Sequence, residues 1–77
     1  MPLIDFKPWE NKAHENLDKW GMQDKGTLIL AMVEELGELS QAYLQHTHED
    51  GDYNRIEKEL DDLAALCIQM KVSIMVD

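Results

Sequence analysis

Apolar residues recur three or four positions apart along two long stretches of this chain, and a short polar connection separates the stretches. From Thr27 to about Gln45 or His46, Leu28, Met32, Leu36, Leu39 and Tyr43 share one face of a helical wheel, broadened by Ile29 and Val33. From Tyr53 to Val76, Ile56, Leu60, Leu63, Cys67, Met70 and Ile74 do the same. No strand-period alternation competes with either pattern. A connection this short makes the two helices antiparallel neighbours. The expected fold is therefore all-α, built on a long antiparallel helical hairpin.

The remainder adds one short helix. Residues 1–8 contain both prolines and read as an irregular N-terminal arm. Trp9, Ala13, Leu17 and Trp20 again fall three or four apart, predicting a first helix from about Trp9 to Lys19, with Gly21 at its C-terminal end. Residues 21–26 read as a loop, after which Thr27 or Asp24 can cap the second helix. His46 to Asp52 reads as the polar connection, with Asp52 or Asn54 capping the third helix. Gly37 interrupts the second helix and is expected to mark a close approach by another helix or a ligand.

At 77 residues the whole chain, 1–77, is one domain with a marginal core. Small scaffolds gain stability from disulfides, metals or self-association. Cys67 is the one cysteine, so no disulfide forms within the chain, and its apolar neighbours predict a buried, inert thiol. Metal and association remain. Leu66, Val72, Met75 and Val76 extend the apolar surface beyond a narrow seam, so a homodimer or homotetramer completing a bundle of four or more helices is expected.

The formal charge of −9 disfavours nucleic-acid polymers and anionic membranes and suits cations. The N-terminus has no long apolar core, and no apolar run approaches the roughly 20 residues of a membrane span. A cytoplasmic protein is expected.

The acids carry the chemistry. Glu35 and Glu38 are three apart on the second helix, as are Glu59 and Asp62 on the third, so each pair points one way. Both pairs flank their apolar stripes. Glu38 and Glu59 bracket the connection at matching chain distances, about 15 Å from the turn at about 1.5 Å per residue. Facing flanks would bring four carboxylates together, and these repel unless a cation neutralises them. An all-oxygen site suits Mg²⁺ or Mn²⁺. Such an ion suits phosphoanhydride hydrolysis, with Glu34 or Glu35 as general base. Solvated acids on an oligomerisation module are the competing reading.

Glu34-Glu35-Leu36-Gly37-Glu38-Leu39-Ser40-Gln41-Ala42 followed by Glu59-Leu60-Asp61-Asp62 resembles the E-E-x-x-E … E-x-x-D signature of the MazG-like all-α nucleoside triphosphate pyrophosphohydrolases. Lys19-Trp20-Gly21 also looks like the approach to that motif, and the likeness spans roughly residues 9 to 72. The resemblance implies Mg²⁺-dependent cleavage of a (deoxy)nucleoside triphosphate to the monophosphate and pyrophosphate, of the house-cleaning type. It matches Glu35, Glu38, Glu59 and Asp62 to metal ligands and Glu34 to a water-positioning acid. It also implies a dimer or tetramer. Many members continue into a basic, Asn-containing tail; here phosphate contacts are expected from Lys25, Arg55, Lys58 or a partner subunit. Trp20 and Trp9 are either base-stacking or packing residues. A non-catalytic relative that binds metal or nucleotide is the alternative function.

Overall fold

The computed structural model describes residues 3–49 and 51–76, with Glu49 described by its backbone alone. Three helices follow in order: α1 (Lys7–Trp20), α2 (Lys25–Glu49) and α3 (Tyr53–Met75). The chain is all-helical, as its periodicity requires.

Local chemistry sets each boundary. Asp5 Oδ1 accepts the Lys7 backbone N–H at 2.9 Å, and Pro8 falls in the first turn of α1. Proline is tolerated there because that turn has no intrahelical acceptor to lose. The expected arm of residues 1–8 is thus shorter: Lys7 and Pro8 are helical, and Met1 and Pro2 lie outside the described residues. Gly21 ends α1 with φ 74°, a left-handed conformation that favours glycine, and its N–H reaches Leu17 O at 2.8 Å.

Asp24, not Thr27, begins α2. Its Oδ1 accepts the Thr27 N–H at 2.9 Å and its Oδ2 the Thr27 hydroxyl at 2.8 Å. Those bonds hold the Asp24 carboxyl below the usual carboxylate range.

α2 runs through His46, Thr47 and His48 to Glu49, further than expected, because the turn is tighter than the polar run suggested. Gly51 donates to Gln45 O at 2.9 Å, and a Cβ there would meet the Gln45 backbone at 3.0 Å. Only glycine fits without a shift. His46 closes the same turn, with Nδ1 3.1 Å from Gly51 O and its ring edge-on to Tyr53. Asp52 caps α3 by accepting the Asn54 N–H at 2.9 Å.

α3 is the central element. Both α1 and α2 pack against it, and among the described residues they do not pack against each other. Trp9, Lys12 and Asn16 on α1 meet Asp61, Asp62 and Gln69 on α3, so the two helices run in the same sense. α2 runs against both.

The layer is flat, 43 × 33 × 21 Å. Its radius of gyration of 13.7 Å exceeds the about 11.5 Å expected of a compact chain of this length. The fully buried apolar core is small: Ala13, Leu28, Ala42 and Ala65.

Three expectations about the hairpin are corrected. The predicted stripe faces inward only in part: Leu28 is buried and Met32 and Leu39 are half-buried, whereas Leu36 and Tyr43 turn outward. Leu36 is 53% exposed, and Tyr43, Val33, Leu60 and Ile74 are exposed with it. Cys67 belongs to that open face and is exposed, not buried. Leu28, Ala31, Glu35, Leu39 and Ala42 face α3, and the small side chains among them let the helices come together along that line. A Cβ placed on Gly37 would meet nothing within 4 Å, so this glycine marks no close approach among the described residues. Among the described residues, no helix is long and apolar enough to cross a membrane.

Candidate metal centre

Three acids gather at the seam between α2 and α3, with Glu59 buried, Glu35 half-buried and Glu38 exposed at its rim. One carboxylate oxygen each from Glu35, Glu38 and Glu59 lies within 4.8 Å of the other two. Glu35 and Glu38 reach the seam from consecutive turns of α2, and Glu59 meets them from α3. Glu59 is 6% exposed. Its Oε1 lies 3.9 Å from Arg55 Nε, while its Oε2 is buried without a hydrogen-bond partner. Glu35 Oε2 is in the same condition, so a proton shared between the two carboxyls is the one donor on hand for either oxygen among the described residues. Arg55 also donates to Gln45 and, at 3.5 Å, to Gln41, so its guanidinium is held between the helices.

Crowding these carboxylates shifts their protons. The Glu35 carboxyl is pushed up to about 7 from an ordinary 4.5. Burial is the main cause; a hydrogen bond with Glu59 and the charges of Glu38, Asp62 and Glu59 add to it. Unpartnered buried oxygens are costly, of the order of 1–3 kcal/mol each or more when charged. A cation would satisfy the orphaned oxygens and relieve the repulsion together.

Asp62 stands beside the three glutamates but is otherwise engaged. Lys12 of α1 pairs with its Oδ1, and Lys58 lies 3.3 Å from its Oδ2. The Lys58 ammonium is raised above its ordinary value by that partner. Glu34 is exposed and outside the cluster. Lys25 opens α2, ten residues before Glu35, or about 15 Å along the helix.

Trp20 is 61% exposed at the end of α1, with Lys19 Nζ 4.9 Å from its ring centre. It borders a cleft of about 240 Å³ with Asn16, Gln23, Leu66 and Gln69. Leu66 and Gln69 stand one and two turns beyond Asp62 on α3, roughly 6 and 10 Å along its axis. Trp9 faces inward instead, its Nε1–H donating to Asp61 Oδ1 at 2.7 Å.

Sequence reasoning missed Lys12. The available signal was its place between Trp9 and Asn16 on the flank of the first apolar stripe, where a cation reaches whatever lies across the helix interface. Comparison of the chain with protein-family models, curated proteins and solved structures finds no match. Residues and geometry therefore carry the functional reading.

Proposed function

We propose that this chain is a Mg²⁺-dependent nucleoside triphosphate pyrophosphohydrolase of the MazG-like kind. The observation that carries the reading is the convergence of Glu35, Glu38 and Glu59 with two buried, unpartnered carboxylate oxygens. The donor set is oxygen only, which fits Mg²⁺ or Mn²⁺ better than Zn²⁺. Glu35, Glu38 and Glu59 would hold the ion, with Asp62 as the fourth ligand once it turns from its lysines. Bound there, the ion would offset phosphate charge, polarise phosphorus and acidify a water.

The protein's own groups supply the rest. With Glu35 engaged on the ion, the exposed Glu34 beside it is the acid left to position the attacking water. Lys58 adds positive charge at the edge of the acids. The Trp20 cleft lies farther along α3, in the order that a nucleotide presents its phosphates and then its base. Trp20 would stack on that base. The substrate class is a non-canonical or excess (deoxy)nucleoside triphosphate, cleaved to monophosphate and pyrophosphate without a covalent enzyme intermediate. A second copy of the chain on the open face of Leu36, Tyr43, Leu60 and Ile74 would close a bundle of at least four helices, as a homodimer or homotetramer.

The test is pyrophosphate release from a nucleotide panel with Mg²⁺. A Glu38→Gln variant is expected to lose activity and Mn²⁺ binding together. Full activity in that variant would sink the ligand role. Mn²⁺ binding without release of pyrophosphate from any nucleotide would identify a non-catalytic relative.

A further inference from the structure

We infer that Lys12, delivered by α1, is a phosphate-contacting residue of this site, resting on Asp62 until a polyphosphate arrives. The inference depends on the reading just proposed and extends it to a residue outside both acidic motifs.

Both oxygens of Asp62 are occupied by ammonium groups, Lys12 on Oδ1 and Lys58 on Oδ2. Lys58 is an i,i+4 partner on the same helix and suffices to pair Asp62 locally. The second lysine comes from a different element. Its side chain is 36% exposed against 67% for Lys58, so its charge sits where water screens it less.

α1 is anchored on either side of it. Trp9 Nε1–H donates to Asp61 at 2.7 Å, and Asn16 Nδ2 donates to Gln69 Oε1 at 2.8 Å. The base of the Lys12 stem is thereby fixed, and a flexible four-carbon chain carries the ammonium from it to Asp62 Oδ1.

Charge balance gives the ammonium its role. Four carboxylates carry four negative charges, and one divalent ion cancels half of them. A polyphosphate approaching that site meets a net repulsion. Two lysines on Asp62 remove it, and a lysine is an effective point-charge partner for phosphate oxygens. When Asp62 turns toward a metal ion, it gives up at least one of its lysines at the place where metal-bound phosphates would project. The other cations are less available. Arg55 is tied to Gln45, Gln41 and Glu59, and Lys25 lies well along α2.

The experiment is calorimetric titration of inorganic triphosphate with Mg²⁺ into the wild type, Lys12→Gln, Lys12→Arg and Trp9→Phe, with Mn²⁺ alone titrated in parallel. Lys12→Gln should weaken triphosphate binding by about ten- to a hundredfold, the loss of one charge-assisted contact. It should leave Mn²⁺ affinity equal or tighter, because a competing cation has left the acids. Lys12→Arg should retain most of the binding. Trp9→Phe loosens α1 without touching the charge, and should leave triphosphate affinity within about twofold.

Wild-type triphosphate affinity in a folded Lys12→Gln would overturn the inference while leaving the metal site intact. An equal loss in Trp9→Phe would overturn it too, reducing Lys12 to a structural tie. Absence of Mn²⁺ binding in the wild type would remove the metal reading and this inference with it.

Discussion

The two flanks of α2 are built the wrong way round for a hairpin that lives alone. The flank turned into the protein carries Glu35, packed with Ala31 and Ala42 towards the buried Glu59 of α3, with Glu38 at its exposed rim. The flank turned outward carries Ile29, Val33, Leu36 and Tyr43, all at least half exposed. Burial ordinarily sorts these residue types in the opposite sense. Inside, three carboxylates converge with Arg55 3.9 Å from Glu59 and lysines only on the neighbouring Asp62; outside, apolar side chains stand open. The difference teaches that α2 meets α3 through acids and small residues and leaves its larger apolar side chains open among the described residues.

The largest effect should come from breaking the inner flank. Glu59→Gln removes the most buried of the three acids. Pyrophosphate release should fall by more than about a hundredfold, since a catalytic metal supplies several kcal/mol of transition-state stabilisation. The same variant should melt higher than the wild type in chelator, because one of the crowded charges is gone. Opposite signs for activity and metal-free stability are the signature of a site held together against repulsion. Lower stability in chelator would instead mean that Glu59 serves the fold through Arg55.

How much of this was legible in the sequence varies by feature. The hairpin was, because period and turn chemistry act locally: Gly21, Asp52 and the three-and-four spacing each state their own consequence. The clustering of Glu35, Glu38 and Glu59 was foreseeable from their spacing on two antiparallel helices, although the height match was not: α2 ends 11 residues after Glu38 and α3 starts 6 residues before Glu59. Which flank faces α3 was not legible, because apolar content alone favoured the stripe through Leu36 and Tyr43. The observed seam mixes part of that stripe, Leu28 and Leu39, with Ala31, Ala42 and Glu35. Lys12 was missed for a different reason: its flank position alone names no partner. Its partner lies 50 residues away in sequence, and only the docking of α1 on α3 brings the two together.

A smaller effect is expected on the outer flank. Leu36→Glu places a charge in the middle of the exposed apolar face. If a second copy covers that face, the variant should elute as a monomer in light scattering and melt about 5–10 °C lower, the shift expected for one to two kcal/mol in a domain this size. Unchanged mass and melting temperature would leave the face open in solution. Activity sharpens the comparison, because Leu36 points away from the acids: residual Mn²⁺ binding in a folded monomer would separate the two flanks of α2.

The smallest effect is in pH. In chelator, the folded protein holds the Glu35 proton up to about 7, whereas the unfolded chain releases it near the ordinary 4.5. Below 4.5 both states are protonated and the group contributes no slope. Between 4.5 and about 7 the folded state binds the extra proton, so stability falls as pH rises and levels off above that window. A bound Mn²⁺ needs the carboxylate and displaces the proton, so its stabilisation should grow with pH across the same range. Thermal melts from pH 5 to 8, with chelator and with Mn²⁺, should diverge by a few degrees as pH increases. Glu35→Gln separates this slope from other groups titrating in the window: the variant in chelator should lose the descent. If its melting curve instead keeps the wild-type pH dependence, the inner flank does not store its excess negative charge on Glu35, and the cation requirement rests on Glu38 and Glu59 alone.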